Sequence, residues 1–484
     1  MANDSYDHNP LVPYPKPISP FYEQSKDDLE NLPQTTLEEE ALTKSNMPNI
    51  FNVPLKGREG VWEFKQEIKP MFVISTKADV GGVGGHVEVS MRTQATVLDH
   101  VLRHNHYGDN KPIFRSVFAT HTGDDVCITG IVDEDVIKQR HVVDELLWDA
   151  FKKGEEVAYM EGLYGPGQDL KADAFTGNIR GLGPASVTLP LPVRDVNPSQ
   201  TVLLATADKT EPGAYNFLTT GAYLDPNFNS GLLIAESKLA QGYIFEISDL
   251  NTKRQAFEEG VPANDPKKLE VAMERLGKTE RTIMLSAPED FYYIGVLTMD
   301  SSRYVISKIY SKGENGKAGQ LGVIISAERL HNIKTSKGFT YGGKDDPIML
   351  SLCQGDWPAP GEITSPLVRL PLVAGDCRGS HNMILYPVPI NFQTSYWSGP
   401  IISVLTLSIN IHTGRVGAIS DQFAPGTPWD GVRLEAAKKM VEFRNAQGYK
   451  QPGTLPTDEI EYQPGYNRRM EELAKRFVRK EVKH

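Results

Sequence analysis

The chain has 484 residues, of which 39% are hydrophobic and 23% charged, and a net charge of −11. Such a chain has enough apolar material for a sizeable core, and its negative balance argues against a general binder of nucleic acid or of anionic membrane surfaces. Three cysteines, Cys127, Cys353 and Cys377, exclude a disulfide framework and predict a reducing, cytoplasmic setting; no apolar run reaches the ~18 residues that span a bilayer, and the N-terminus lacks the apolar stretch of a signal peptide.

Residues 1–65 differ from the rest. Pro10, Pro13, Pro15, Pro17 and Pro20 precede a polar run holding Glu38, Glu39 and Glu40. Such a segment buries too little apolar surface to offset chain entropy, so we expect an irregular N-terminal arm without catalysis. Residues 66–484 show no internal repeat and no further shift of composition, and read as one large domain. Its first β-run, residues 72–76, ends in the glycine-rich loop from Lys77 to His86. That loop lacks the G-x-G-x-x-G spacing, and Asp79 stands where a phosphate would be repelled. Asp79 and His86 read either as ligands or acid–base groups at a strand end, or as parts of a solvated turn. A helix is predicted over residues 93–103, with Val97 and Val101 on one face. His100 and His104 share helical spacing but lack the acidic partner of a zinc motif, so they read as surface histidines.

Strands are predicted at 114–118 and 126–129, around Thr120-His121-Thr122-Gly123-Asp124-Asp125. A helix follows with an apolar stripe at Val143, Leu146, Leu147, Ala150 and Phe151. Two glycine-rich stretches, 164–170 and 175–184, are loops whose backbone N–H groups can cradle phosphate. Further strands are predicted at 202–205, leading into Asp208 and Lys209, and at 231–235, 243–247 and 282–285. Residues 251–280 read as an insertion, with Asp265 as N-cap, Pro266 as first helical residue, Gly277 as stop, and Leu269, Met273 and Leu276 as its buried face. Strands at 304–310 and 321–326 lead to Tyr341-Gly342-Gly343-Lys344-Asp345-Asp346-Pro347. A strand at 349–352 precedes Gln354, and Arg378 is a candidate phosphate fork. A long strand at 401–411 precedes a helix at 432–445 with Leu434, Lys438 and Val441 on one side. A final helix carries Met470, Leu473 and Phe477.

Each acidic loop also reads alone as a polar turn. Together they describe something more specific. Two Asp-Asp pairs and an Asp-Lys pair each follow a β-run, and Asp79 with His86 makes a fourth group. Carboxylates gathered beside Lys and Arg suit a site where several Mg²⁺ ions bridge phosphate oxygens and activate water.

These motifs resemble the fructose-1,6-bisphosphate aldolase/phosphatase family. The resemblance runs in family order from about residue 71 to the C-terminus, through Lys77-Ala78-Asp79, Gly85-His86, Gly123-Asp124-Asp125, Gly167-Gln168-Asp169-Leu170, Ala207 to Asn216, Met284 to Pro288, Gly343 to Pro347, Arg378 to His381 and Glu461-Tyr462. It implies an α+β fold, a four-layer α-β-β-α sandwich, assembled as a homo-oligomer, in the family an octamer with sites shared between subunits. It implies an enzyme that condenses dihydroxyacetone phosphate with glyceraldehyde 3-phosphate and then removes the C1 phosphate to leave fructose 6-phosphate. By motif, Lys344 would form the Schiff base, Tyr341 would be the aldol proton donor and acceptor, and Asp79 the phosphatase base. Asp79, His86, Asp124, Asp125, Gln168, Asp208, Asp345 and Asp346 would surround Mg²⁺. His86, Tyr164, Gly177, Asn178, Lys209, Gln354, Arg378, Ser398 and Tyr462 would hold the sugar phosphate.

The chain departs from the family pattern at several points. Ser398 stands where the family carries an Asp that touches the sugar. The segment after His381 reads Asn382 to Val388, and Val87-Glu88-Val89 replaces the usual continuation after His86. The metal and Schiff-base residues remain. Two other readings stay open: the same scaffold recruited to a different phosphorylated or carbonyl substrate, or a non-catalytic relative.

Overall fold

The computed structural model describes residues 51–52, 69–170, 174–175, 184–193, 198–229, 242–277, 279–301, 303–313, 316–326, 331–332, 347–373, 383–393, 399–447 and 470–481. Residues 50–484 form one compact unit. The expected arm, apart from Phe51–Asn52, and the expected strand at 231–235 lie outside the described residues. Among those described, no helix is long and apolar enough to cross a membrane.

Strands of four or more residues, numbered in order, are β1 (Met71–Asp79), β2 (Ser116–Thr122), β3 (Asp125–Asp133), β4 (Ala185–Pro190), β5 (Ser199–Asp208), β6 (Tyr243–Asp249), β7 (Thr279–Ala287), β8 (Tyr304–Lys312), β9 (Ala318–Ile325), β10 (Ile348–Cys353), β11 (Ile401–Asn410), β12 (Arg415–Asp421) and β13 (Val478–Glu481). Longer helices are α1 (Met91–Arg103), α2 (Arg140–Met160), α3 (Asn216–Leu224), α4 (Thr252–Glu258), α5 (Pro266–Gly277), α6 (Phe291–Thr298) and α7 (Trp429–Gln447). A small antiparallel sheet runs Phe51–Asn52, β2, β3, β1, β4. A large sheet runs Tyr386–Pro387, β11, β5, β10, β9, β8, β6, β7, β13, with β12 also on β11.

Side chains alternate across a strand, and that alternation builds the layers. On the small sheet Ile74, Ala78, Val117, Ala119, Val126 and Ile128 face α1 and α2, where they meet Val97, Val101, Leu147 and Phe151. The opposite parity, Val73, Phe118, Ile131 and Val187, joins the core of the large sheet. The Thr122 and Thr206 hydroxyls, 2.7 Å apart, bridge the two sheets. Leu203 pairs with Ser351 on the other face of the large sheet, and Ser351 meets the Tyr223 hydroxyl of α3 at 2.5 Å. The layer order is therefore α-β-β-α.

Several elements differ from expectation, for non-local reasons. β2 and β3 extend up to the acidic pair, because Thr122 pairs with Asp125 across a two-residue turn. The Leu434, Lys438 and Val441 side of α7 faces outward; its buried side carries Arg433, Ala436, Met440 and Arg444. Arg433 donates to the Phe423 carbonyl at 2.8 Å, so a buried cation sits where an apolar residue would be sought. The final helix ends at Ala474. Leu473 enters the core with Met470 and Phe477 against it, and Val478–Glu481 becomes a strand that pairs with β7. In the insertion the Asp265 carboxylate accepts from the Lys268 N–H at 3.1 Å, as expected of an N-cap. Ala272 and Leu276 are buried, Leu269 packs against them, and Met273 is half-buried. β7 begins at Thr279, inside the expected end of the insertion.

Candidate metal and phosphate site

The interface between the sheets changes chemistry along its length. Cross-strand partners on its inner face are Val73 with Ile131, Ser75 with Thr129, Lys77 with Cys127, and Asp79 with Asp125. On β5 the same progression runs Val202, Leu204, Thr206, Asp208. Apolar residues give way to hydroxyls and then to charges, all at the same end of the sandwich. Period two, repeated on three strands, places the acids together.

Glycines let the pieces approach. Gly123, at φ +62, occupies the first central position of the β2–β3 turn, where glycine accepts a backbone that other residues resist. A Cβ there would lie 1.5 Å from Asp208 Oδ2, so only glycine lets this turn sit against Asp208. Gly82 is equally constrained: a Cβ would lie 2.2 Å from the Gly85 carbonyl and 3.1 Å from Asp124.

Asp79 is buried, which rules out the solvated-turn reading. Its N–H donates to Asp169 Oδ2 at 3.0 Å, and its Oδ1 accepts from the Gly81 N–H at 3.0 Å. His86 Nδ1 lies 2.7 Å from Asp124 Oδ2 and 3.2 Å from Asp79 Oδ2. Lys209 Nζ donates to Asp124 Oδ1 at 2.9 Å and to Asp208 Oδ1 at 2.7 Å. Lys77 Nζ donates to Asp125 Oδ2 at 2.5 Å. The exposed Tyr164 sets its ring edge-on to His86, with centroids 4.9 Å apart. Gln168 Oε1 and the His86 ring both lie beside Gly165.

Electrostatics follow from this crowding. Burial, reinforced by Asp124, pushes the Asp79 carboxyl up to about 6. Burial pushes Asp208 up to about 8, with Lys209 opposing and Asp124 and Asp125 adding to it. Burial also acts to raise Asp124, but Lys209 and His86 outweigh it and hold that carboxyl well below the usual range. Burial disfavours the imidazolium of His86, yet its hydrogen bonds to Asp124 and Asp79 carry it up to about 10.

Ligand atoms of Asp79, His86 and Asp124 lie within 4.8 Å of one another. Asp208 Oδ2 is buried without a hydrogen-bond partner among the described residues. A carboxylate oxygen withdrawn from water and left unbonded is costly, and a hard cation is the partner such oxygens suit. The donor set therefore fits a divalent metal.

The structure brings together Asp79, His86, Tyr164, Asp124, Asp125, Gln168, Asp208 and Lys209. It does not bring Gln354 to them. Cys353 pairs with Thr201, so Gln354 lies level with Gln200. That is eight residues along β5 from Asp208, or ~27 Å at strand spacing. Tyr341, Lys344, Asp345, Asp346, Gly177, Asn178, Arg378, Ser398 and Tyr462 lie outside the described residues. The expectations missed two contributors. Asp169 is adjacent to Gln168 and holds the Asp79 backbone. Lys77 shares the Asp79 face of β1, a relation that period two makes visible in the sequence.

Known proteins resemble this chain over most of its length. A family model described as fructose-1,6-bisphosphatase matches residues 71–478. A protein of Thermus thermophilus named fructose-1,6-bisphosphate aldolase/phosphatase is 36% identical over 403 residues, 83% of this chain and 98% of its own length. Proteins of the same name are 36% identical in Cenarchaeum symbiosum, over 84% of this chain and 94% of theirs, and 33% identical in Ignicoccus hospitalis, over 80% and 87%. The matched span contains the whole carboxylate cluster, and the chain belongs to the fructose-1,6-bisphosphate aldolase/phosphatase family.

Proposed function

We propose that this protein is a Mg²⁺-dependent fructose-1,6-bisphosphate phosphatase that also catalyses the aldol condensation forming its substrate. The observation that carries this reading is the cluster of Asp79, His86, Asp124 and Asp208, in which Asp208 Oδ2 is buried without a hydrogen-bond partner among the described residues. Divalent ions bound here would polarise the phosphoryl oxygens and lower the pKa of bound water. Asp79 takes the proton of the attacking water; a carboxyl lifted toward neutral pH is suited to that task. Asp124, Asp125, Asp208, Gln168, His86, Asp345 and Asp346 hold the ions. Lys209, Tyr164, Gly177, Asn178, Arg378, Ser398 and Tyr462 hold the sugar phosphate.

For the aldol step, Lys344 is the amine that attacks the ketone and Tyr341 the proton donor and acceptor. Free Asp345 and Asp346 would keep Lys344 protonated, and bound cations would reverse that field. The position of Gln354, ~27 Å along the sheet from Asp208, supports a homo-oligomer in which a second copy brings its Gln354 to the site. The cysteine usage supports a cytoplasmic setting.

The test is phosphate release from fructose 1,6-bisphosphate. It requires Mg²⁺ and is lost in Asp124→Ala; no release at any Mg²⁺ concentration overturns the reading. Borohydride with dihydroxyacetone phosphate should trap an adduct on Lys344 and not in Lys344→Arg, whose guanidinium stays protonated. Ser398 favours a second reading, a related phosphorylated sugar as the preferred substrate. A substrate panel decides, and high efficiency on fructose 1,6-bisphosphate counts against it.

A further inference from the structure

Lys77 is fully buried, on the same face of β1 as Asp79 and two residues before it. Its ammonium lies 2.5 Å from Asp125 Oδ2 and 2.5 Å from the carbonyl oxygen of Ala207, the residue before Asp208. A charge withdrawn from water persists only when paired and hydrogen-bonded. Asp125 belongs to the acidic cluster and Ala207 directly precedes Asp208 of that cluster, and the two come from different sheets. Asp125 sits at the β2–β3 turn of the small sheet, and Ala207 near the end of β5 in the large one. One ammonium therefore ties the two halves of the cluster together and occupies one of the two oxygens of Asp125.

Lys209 differs. It follows β5 with a left-handed backbone, φ +60, is itself buried, and donates to Asp124 and Asp208 rather than across to Asp125. Lys77 sits behind the carboxylates, between the sheets and out of contact with solvent. A cation in that position cannot be exchanged for a metal from outside.

We propose that Lys77 is a positioning residue, a built-in cation that holds Asp125 to the large sheet and limits how strongly the cluster draws divalent ions. The inference rests on the reading of the cluster as a divalent-metal site. Its fixed positive charge repels incoming ions and sets their affinity, and its two hydrogen bonds keep Asp125 aligned with Asp208. Removing the charge should tighten ion binding and yet slow turnover, a combination that a purely structural lysine does not produce.

Two variants separate the effects. Lys77→Met keeps the apolar stem and removes both charge and donors. Lys77→Gln removes the charge and keeps an amide donor, so it carries the test should the Met variant fail to fold. Calorimetry of the full chain with Mg²⁺ alone should show binding tightened about tenfold or more in either variant, as expected when a like charge a few ångströms away is lost. In chelator-treated samples both variants should melt below the wild type and regain more of that loss on Mg²⁺ addition than the wild type gains. Turnover should fall with KM for the sugar phosphate nearly unchanged, and less in Lys77→Gln than in Lys77→Met. Unchanged or weakened Mg²⁺ affinity beside a lowered Tm overturns the inference while leaving the metal reading intact. A wild-type chain that takes up no Mg²⁺ overturns both.

Discussion

Two charge clusters in this molecule, each built around buried aspartates, are built on opposite terms. The first joins β6, β8, β7 and the insertion helix α4. Asp249, fully buried, receives Arg303 Nε on Oδ1 at 2.9 Å, and on Oδ2 Arg303 Nη2 at 2.8 Å and Arg281 Nη1 at 2.9 Å. The same two arginines reach Glu258 at 2.9 and 2.7 Å. Two carboxylates meet two guanidiniums, and both oxygens of each acid are bonded. The second cluster gathers Asp79, Asp124, Asp125, Asp169 and Asp208 around Lys77, Lys209 and His86. Five acids share three cations, Asp208 Oδ2 has no hydrogen-bond partner among the described residues, and two carboxyls are pushed toward or above neutral pH. Charges that serve the fold are neutralised within the chain. Those of the second cluster are left short of counter-ions, and that deficit is what a divalent metal can fill.

The comparison can be broken most sharply by exchanging its consequences. Asp79→Asn should reduce phosphate release by about 10²–10⁴-fold, the span of a lost general base. Its Tm in chelator should stay level or rise, because one uncompensated charge is gone; a Tm collapse would make Asp79 a fold residue. Arg303→Met should do the reverse. It strands Asp249 as a buried, under-paired charge, a loss of about 3–5 kcal/mol. For a chain of this size that corresponds to about 3–5 °C, with activity per folded molecule unchanged and Mg²⁺ affinity unmoved. A loss of Mg²⁺ affinity in this variant would refute the separation of the two clusters.

A pH series sharpens the contrast. Asp79 and Asp208 have folded values of about 6 and about 8, above their ordinary 3.8. Their stabilising contribution is therefore complete below pH ~4 and lost as pH rises through 6 and 8. For Glu258, burial acts to raise the carboxyl, but Arg303 and Arg281 outweigh it and hold it below its ordinary 4.5. Its contribution is present above that value and lost only in acid. Between pH 5 and 8 only the second cluster changes. Chelator-treated protein should lose about 2 °C or more over that range, and Mg²⁺ should restore more at pH 8 than at pH 5. A flat profile in chelator would refute the assignment. The smallest effect belongs to the hydroxyl layer behind the acids. Thr122→Val removes the bridge to Thr206 and should cost about 1 kcal/mol. Mg²⁺ uptake should remain as in the wild type, checked by calorimetry.

Local chemistry was enough to read much of this protein from the sequence. The β-run at 72–76, the apolar stripe of α2, the Asp265 cap and the glycines around Asp124 and Asp208 each depend on neighbours a few residues away. The gathering of Asp79, His86, Asp124 and Asp208 was legible because each acid ends a strand or sits in its turn, and strand ends share one edge of a sheet. Other features depended on which surfaces meet. Val478–Glu481 is a strand because the edge of β7 offers it hydrogen bonds. The buried side of α7 contains Arg433 because a carbonyl waits at Phe423. Gln354 lies far from Asp208 because β10 runs antiparallel to β5. Lys77 reads in the sequence as one more charge in a motif, and only the stacking of the two sheets makes it the cation between Asp125 and Ala207. Periodicity assigns a side chain to a face; what covers that face is decided by contacts between residues far apart in the chain, which the one-dimensional pattern does not encode.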